Sequence, residues 1–339
     1  MKSRVEHLPI ELWLSIFSYI EVHELFQAFY NLNNYFDKLF TSKHLLLYVQ
    51  VESTTRNNVR WCKSILDRLI RIQSSSSHAS HDLTQFLQSY STKLVQLKSL
   101  VIQVCLRNIP SICSALEQLP SLEYISLTCI PTQTLLETIL TTPTLRTCRL
   151  KFWRPIATIN YHSCTTNSNV EILSVKMLDD PNHSIIYLLL SHMPKLKHLE
   201  IEKNNPVVLF NQNLFVLEYL KVLKFIWNRH QYKSDYFENC RRIITNLRSL
   251  HLSIHYIQFN ETFDHILIGF LCTLIKKIKK IKIFILCYQL MALIDIDLKK
   301  KFNNYCQKLA FEFSSLSDTS FQITWSEEEA SKHTIQIIF

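Results

Sequence analysis

Glycine is almost absent. Gly269 is the only one in 339 residues, where an average chain uses about 7%. Phosphate-cradling Walker loops, dinucleotide fingerprints and nucleophile elbows all need glycine where the backbone turns sharply or approaches a ligand. The chain therefore holds none of them. Its turns fall instead to Asn, Asp, Ser and Pro, and Asn is abundant.

Metal-site spacing is lacking too. The chain has ten cysteines, but Cys62, Cys105, Cys113, Cys129, Cys148 and Cys164 form no CxxC, and no His pair supplies the other half of a zinc site. The opening "MKSRVEHLPIEL" has no apolar signal-peptide core. Free buried thiols in a reducing, intracellular compartment, cytoplasmic or nuclear, are therefore the expectation. Long apolar runs are missing as well. "HILIGFLCTLI" and "IFILCYQLMALI" are far shorter than the ~20 residues that a membrane span needs, and the lysines of "KKIKKIK" separate them. No membrane contact is expected. The formal net charge of +9 predicts attraction to something acidic, without saying what.

What the chain does have begins at "PIELWLSIFSYI". On a helix, Glu11, Ser15 and Ser18 cluster on one narrow arc. Leu12, Ile16 and Ile20 share one face, and Trp13, Leu14 and Phe17 widen the apolar band to roughly 220°, about twice the stripe of a one-sided surface helix. One part can pack on the protein's own neighbour; the remainder needs a second partner. The neighbour comes next, in "HELFQAFYNLNNYFDKLF", where Leu25, Phe29, Leu32, Phe36 and Leu39 make a helical seam. Residues 8–40 are thus two or three short helices, too small to be stable alone. On physics alone they could equally be a cap for the downstream domain.

"LPIELWLSIFSYIEVHELFQAFYNLNNYF" resembles an F-box, the helical module by which substrate receptors dock onto a Skp-type adaptor of cullin–RING ubiquitin ligases. Leu8-Pro9, Glu11-Leu12, Ile16-Phe17, Tyr19-Ile20, Leu25 and Phe36 carry the resemblance. Glu24 stands where many members have Asp. The resemblance implies that Leu8, Pro9, Leu12, Ile16, Phe17, Ile20 and Leu25 meet the adaptor.

Beyond residue 95 a pattern recurs: "LKSLVIQVC", "LEYISLTCI", "LRTCRLKFW", "VEILSVKML", "LKHLEIEKN", "LKVLKFIWN", "LRSLHLSIH" and "IKKIKIFIL". Each is close to apolar–x–x–apolar–x–apolar, led by Leu97, Leu122, Leu145, Val170, Leu196, Leu220, Leu247 and Ile278. The leads lie 23 to 31 residues apart, near the spacing of leucine-rich repeats. The ninth positions Cys105, Asn204 and Asn228 match that repeat's Asn/Cys slot. Pro120, Pro143 and Pro194 stand two before a lead, where a helix should end. Each unit reads as a short strand plus a return segment; "SICSALEQL", "TQTLLETIL" and "YFENCRRIITN" read as helices, and "RPIATINYHSCTTNSN" does not. The array resembles a divergent leucine-rich-repeat solenoid, with a mixed α/β domain of leucine-rich strands as the alternative.

The predicted organisation is α/β: an F-box over residues 1–48, a helical linker over 49–95 with a polar loop at 74–82, and a repeat solenoid over 96–339. Concave parallel strands and outer helices build the solenoid. In the linker, "NNVRWCKSILDRLIRIQ" aligns Trp61, Ile65, Leu69 and Ile72 on one helical face. "FQITW" and "TIQII" alternate with period two around "SEEEASKH" and are expected to close the last edge as a hairpin.

No catalytic constellation is present in the sequence. Asp179-Asp180 are neighbours whose side chains point apart, and His251 and His255, four apart on a strand, stand ~13 Å from one another. No cofactor, metal or enzyme activity is implied. The third, fifth and seventh positions of each unit should share the open face. They include Tyr124, Arg149, Lys151, Lys176, His198, Glu200, Glu202, Lys224, His251, Lys280 and Lys282. Six cations against two glutamates make Tyr124, Arg149, Lys151, Lys176, Lys224, Lys280 and Lys282 the candidate contacts for an acidic or phosphorylated target. Nucleic acid is disfavoured, because the isoleucines within "KKIKKIK" suit a strand. The function expected is a non-catalytic substrate-recognition subunit of a Skp–cullin–F-box ubiquitin ligase. The alternative is a repeat scaffold unrelated to ubiquitination, with an enzyme acting on an acidic substrate as a remote third.

Overall fold

The computed structural model describes residues 8–42, 44–51, 66–74, 79–153, 167–177, 184–203, 219–227, 247–255, 280–288, 322–329 and 332–338, with 304, 307 and 311. The chain divides into two compact units, Met1–Lys151 and Phe152–Phe339. Both are mixed α/β.

The first unit opens with three short helices, α1 (Ile10–Phe17), α2 (Val22–Phe29) and α3 (Asn34–Thr41). Pro9 precedes α1, and its carbonyl accepts from Leu12 N and Trp13 N. Asn33 caps α3, its side chain accepting from Tyr35 N at 2.9 Å and Phe36 N at 3.1 Å. The turn before it contains Asn31 with φ of 58°, the one positive-φ residue among those described. In a chain nearly without glycine, Asn is the residue that tolerates this conformation.

Five strands come next: β1 (Leu47–Val51), β2 (Leu69–Ser74), β3 (Ser99–Gln103), β4 (Tyr124–Cys129) and β5 (Thr147–Phe152), adjacent in that order. The pairs from β1 to β4 are parallel. Parallel neighbours need crossovers, which α4 (Ala79–Tyr90), α5 (Ile109–Glu117) and α6 (Gln133–Thr141) supply. These three helices pack side by side. The register puts Val49, Ile72, Leu100 and Ile125 on one cross-strand row, all buried.

The second unit has β6 (Ile172–Met177), α7 (Ser184–Ser191), β7 (His198–Lys203), β8 (Val222–Trp227), β9 (Ser249–His255) and β10 (Lys280–Tyr288), then β11 (Gln322–Glu329) and β12 (Lys332–Ile338). From β6 to β10 the pairing is parallel, with Leu173, Leu199, Leu223, Leu250 and Ile281 in register. The expected C-terminal hairpin forms: β12 lies antiparallel on β10 and on β11.

The repeat frame matches the strands closely. Every described lead from Leu97 to Leu247 is buried and stands two residues before its strand. Pro120, Pro143 and Pro194 each fall between a helix and the next strand. Three expectations fail. The sheet begins at Leu47, so residues 49–95 are no helical linker: "LIRIQS" is β2, and the expected loop at 74–82 includes the end of β2 and the start of α4. A short apolar run fits either period, and the lattice of neighbouring strands decides it. Leu32, placed in the helical seam, is exposed. Cys105 is exposed rather than inward, because the chain turns into a 3-10 segment at Leu106–Asn108, and Asn108 is the buried residue instead. Asn204, Asn228, the Asp179-Asp180 pair and the return segment "YFENCRRIITN" lie outside the described residues.

Candidate functional site

Two surfaces stand out. The first is built by α1. Its wide apolar band splits in two. Trp13 and Phe17 turn inwards and meet Phe29, Phe36 and Phe40: Trp13 sits edge-on to Phe36 at 5.1 Å, Phe17 lies 5.1 Å from Phe29, and Phe17 stacks on Phe40 at 5.8 Å. Ring separations of this size are those of favourable aromatic pairs. On the other side of the helix Leu12 and Ile16 are 50% and 42% exposed, and at its start Leu8 and Ile10 are 40% and 47% exposed. Tyr19 is exposed beside them, and the Tyr35 hydroxyl donates to Leu8 O at 3.2 Å, holding the start of the segment.

Of the residues expected to meet an adaptor, Leu8, Pro9, Leu12 and Ile16 are exposed and Ile20 is half-buried. Phe17 and Leu25 are not on that surface; both are 0% exposed and belong to the interior of the helical unit. Helical period alone cannot tell which part of a broad band faces inwards, and here the phenylalanines of α2 and α3 claim Phe17. Tyr19, one of the residues that carry the resemblance but not among the expected contacts, is exposed as well.

The helices are tied to the sheet. α2 packs on β1, Glu21 forms a bridge to Tyr48, and Arg68 Nη1 donates to Phe40 O and, at 3.3 Å, to Ser42 O. Burial lowers the Arg68 pKa, and the charge of Asp67 works the other way.

The second surface is the strand face opposite the buried rows. The expected row of free cations breaks up in the second unit. Lys176 is ion-paired to Glu202, and Lys224 to Glu200 at 2.6 Å. Burial disfavours the charged Glu200, but Lys224, Ser174 and His198 together outweigh it and hold the carboxyl below the usual range. Counting six cations against two acids missed this, since equivalent positions of consecutive strands stand side by side. Lys280 and Lys282 lie on β10 in register with Ser249 and His251.

In the first unit the same face carries Arg149 and Lys151, both exposed, and Tyr124, half-buried. The Arg149 guanidinium lies 5.8 Å above the Tyr124 ring. A matching arrangement on β1 and β2 went unread: Arg71 lies 5.1 Å above Tyr48 and donates to Gln73 Oε1 at 3.0 Å, while the Tyr48 hydroxyl donates to Gln50 Oε1 at 2.9 Å. Burial raises the Tyr48 pKa, with Arg71 opposing it and Glu21 and Glu24 adding to it. Arg71 and Gln73 were hidden by the assignment of 57–73 to a helix, and Tyr48 lay at the end of the expected F-box.

Cys113, Cys129 and Cys148 are buried free thiols. Burial pushes the Cys129 pKa up to about 12 and raises Cys113 and Cys148 as well. Protonated and enclosed, none has the character of a nucleophile. Among the described residues no group of three or more His, Cys, Asp and Glu could hold a metal, and no helix is long and apolar enough to cross a membrane. No protein-family model matches the chain, and no curated protein matches it significantly.

Proposed function

We propose that this chain is a non-catalytic substrate-recognition subunit of a Skp–cullin–F-box ubiquitin ligase. In this reading α1 to α3 are an F-box docking on a Skp-type adaptor, and the strands and helices downstream are a divergent leucine-rich-repeat array that holds a target protein. Ubiquitin transfer belongs to other subunits; this chain contributes proximity and orientation.

One observation carries the reading: the outward apolar row of α1. Leu8, Leu12 and Ile16 are uncovered although Trp13 and Phe17, on the other side of the helix, are packed among aromatic rings. Full burial of an aliphatic side chain is worth about 1.5–3 kcal/mol. Covering these half-exposed ones would thus contribute on the order of 3 kcal/mol before the costs of association. Exposed apolar side chains grouped on one helix face are a usual mark of a protein-binding surface.

A second reading makes the helices a cap in a scaffold unrelated to ubiquitination. The packing of α2 on β1 favours it, because a sheet edge must be covered. It accounts for α2 and leaves the outer row of α1 without a role.

The test is co-elution of the purified chain with a Skp-type adaptor. Wild type should form a stable complex, and the Leu12→Asp/Ile16→Asp variant should lose at least 100-fold in affinity while its melting temperature stays within about 2 °C. Phe17 is unsuitable for this purpose, since truncating it would hollow the core. Equal adaptor recovery with wild type and variant refutes the docking role.

A further inference from the structure

We propose that the open strand face of the first unit, carrying Arg71, Arg149 and Lys151 beside Tyr48 and Tyr124, binds an extended, carboxylate-rich segment of a partner protein. This deepens the receptor reading and rests on it for the segment's role as a target, while locating the contact on β2 to β5.

Charge is the first argument. The third, fifth and seventh positions of β2 to β5 are Arg71, Gln73, Ser99, Val101, Gln103, Tyr124, Ser126, Thr128, Thr147, Arg149 and Lys151 wherever the structure describes them. No carboxylate is among them. Glu21 and Glu24 act electrostatically on Tyr48, at one end of this face. In the second unit, by contrast, Glu200 and Glu202 take up Lys224 and Lys176. The described ion pairs use neither Arg71, Arg149 nor Lys151; the remaining two are Lys98 with Glu123 and Lys197 with Glu171, at strand starts.

Geometry is the second. Arg71 and Arg149 stand three strand steps and two residues apart, a separation of about 16 Å at ~4.8 Å per step and ~3.3 Å per residue. An extended segment covers that in about five residues. Arg149 and Lys151 point to the same side of β5 about 7 Å apart, the spacing of alternate side chains in an extended peptide. An acidic–x–acidic element along β5, followed by a bend across the strands and a third acid about five residues on, would therefore meet all three cations.

The tyrosines decide between classes of partner. Each ring already has a guanidinium over it, at 5.1 Å for Tyr48 and 5.8 Å for Tyr124. A guanidinium held over a ring keeps N–H groups for acceptors such as carboxylates, although Arg71 already gives one to Gln73 Oε1. It also occupies the ring face on which a nucleobase would stack. A protein segment is favoured over single-stranded nucleic acid.

The experiment uses the full chain and fluorescence anisotropy. The probes are a labelled peptide of about twelve residues alternating Glu and Ser, its Gln/Ser counterpart, and a labelled oligouridine of equal length. The Glu peptide should bind at least 10-fold more tightly than the Gln peptide and weaken as salt rises. Arg149→Gln/Lys151→Gln should cost at least 5-fold, while Lys176→Gln changes the affinity by less than twofold. Equal binding of Glu and Gln peptides, no binding of either, an equal loss with Lys176→Gln, or preference for the oligonucleotide overturns the proposal. Adaptor co-elution on the same preparations keeps the two ideas apart. Arg149→Gln/Lys151→Gln should leave it intact, and Leu12→Asp/Ile16→Asp should leave peptide affinity intact.

Discussion

Asn31 and Asn33 show how a chain with one glycine makes a tight helix entry. Asn31 takes the left-handed conformation, and its N–H donates to Asp37 Oδ1 at 3.1 Å. Asn33 then satisfies two N–H groups at the start of α3. A first turn always leaves such donors without intrahelical partners. Asn33→Ala should therefore lower stability by about 1 kcal/mol in a urea titration, and Asn33→Asp should retain most of it. An alanine variant as stable as wild type would remove the cap from the account. At this scale the sequence was informative about residue type and less so about direction. That Asn would replace glycine in turns could be read from composition. That Phe17 points inwards while Ile16 points out could not, since both lie in one broad apolar band and only the facing rings of Phe29, Phe36 and Phe40 separate them.

At the level of elements, the repeat frame made the strands legible because, from β3 to β7, each lead residue and its fourth and sixth neighbours are apolar for one reason, burial in a shared row. β2 escaped because its sixth position is Ser74, which breaks the apolar signature, and because Leu69 and Ile72 also suit a helix. α7 lies outside the return segments singled out by pattern. The same frame explains the ion pairs. Lys98 and Glu123, Glu171 and Lys197, Lys176 and Glu202, and Glu200 and Lys224 each occupy the same position of consecutive units. Side chains at equivalent positions of parallel strands are neighbours. Opposite charges at one repeat position could have been read as pairs once the frame was known.

The Glu200–Lys224 pair carries a pH dependence. A carboxylate whose folded pKa is depressed adds stability above its unfolded pKa, and this is lost as pH falls through the folded value. Glu200→Gln should thus cost about 1 kcal/mol near neutral pH. The gap to wild type in urea midpoint should close as the pH is lowered from about 6 to below about 3. A gap that stayed constant, or widened in acid, would contradict the pairing.

For the molecule as a whole, the helical unit and the strand array have different relations to solvent. Among the described residues, strands and crossover helices bury their apolar rows against one another, and β12 of the hairpin pairs along β10. α2 and α3 likewise find cover, on β1 and on their own aromatic core. Only the outer side of α1 remains an apolar row without a covering element among the described residues. The proposed division of labour rests on this difference, with α1 turned to an adaptor and the cationic strand face turned to a target.

Reactivity at position 12 tests it most directly. In a Leu12→Cys variant the chain supplies its own standards, exposed Cys105 and buried Cys148. Under native conditions a maleimide reagent, read out by peptide mass spectrometry, should modify position 12 about as fast as Cys105. A Skp-type adaptor should slow position 12 at least 10-fold and leave Cys105 unchanged. A rate at position 12 as slow as that of Cys148 in the chain alone would mean that α1 is already sealed, and would contradict the account.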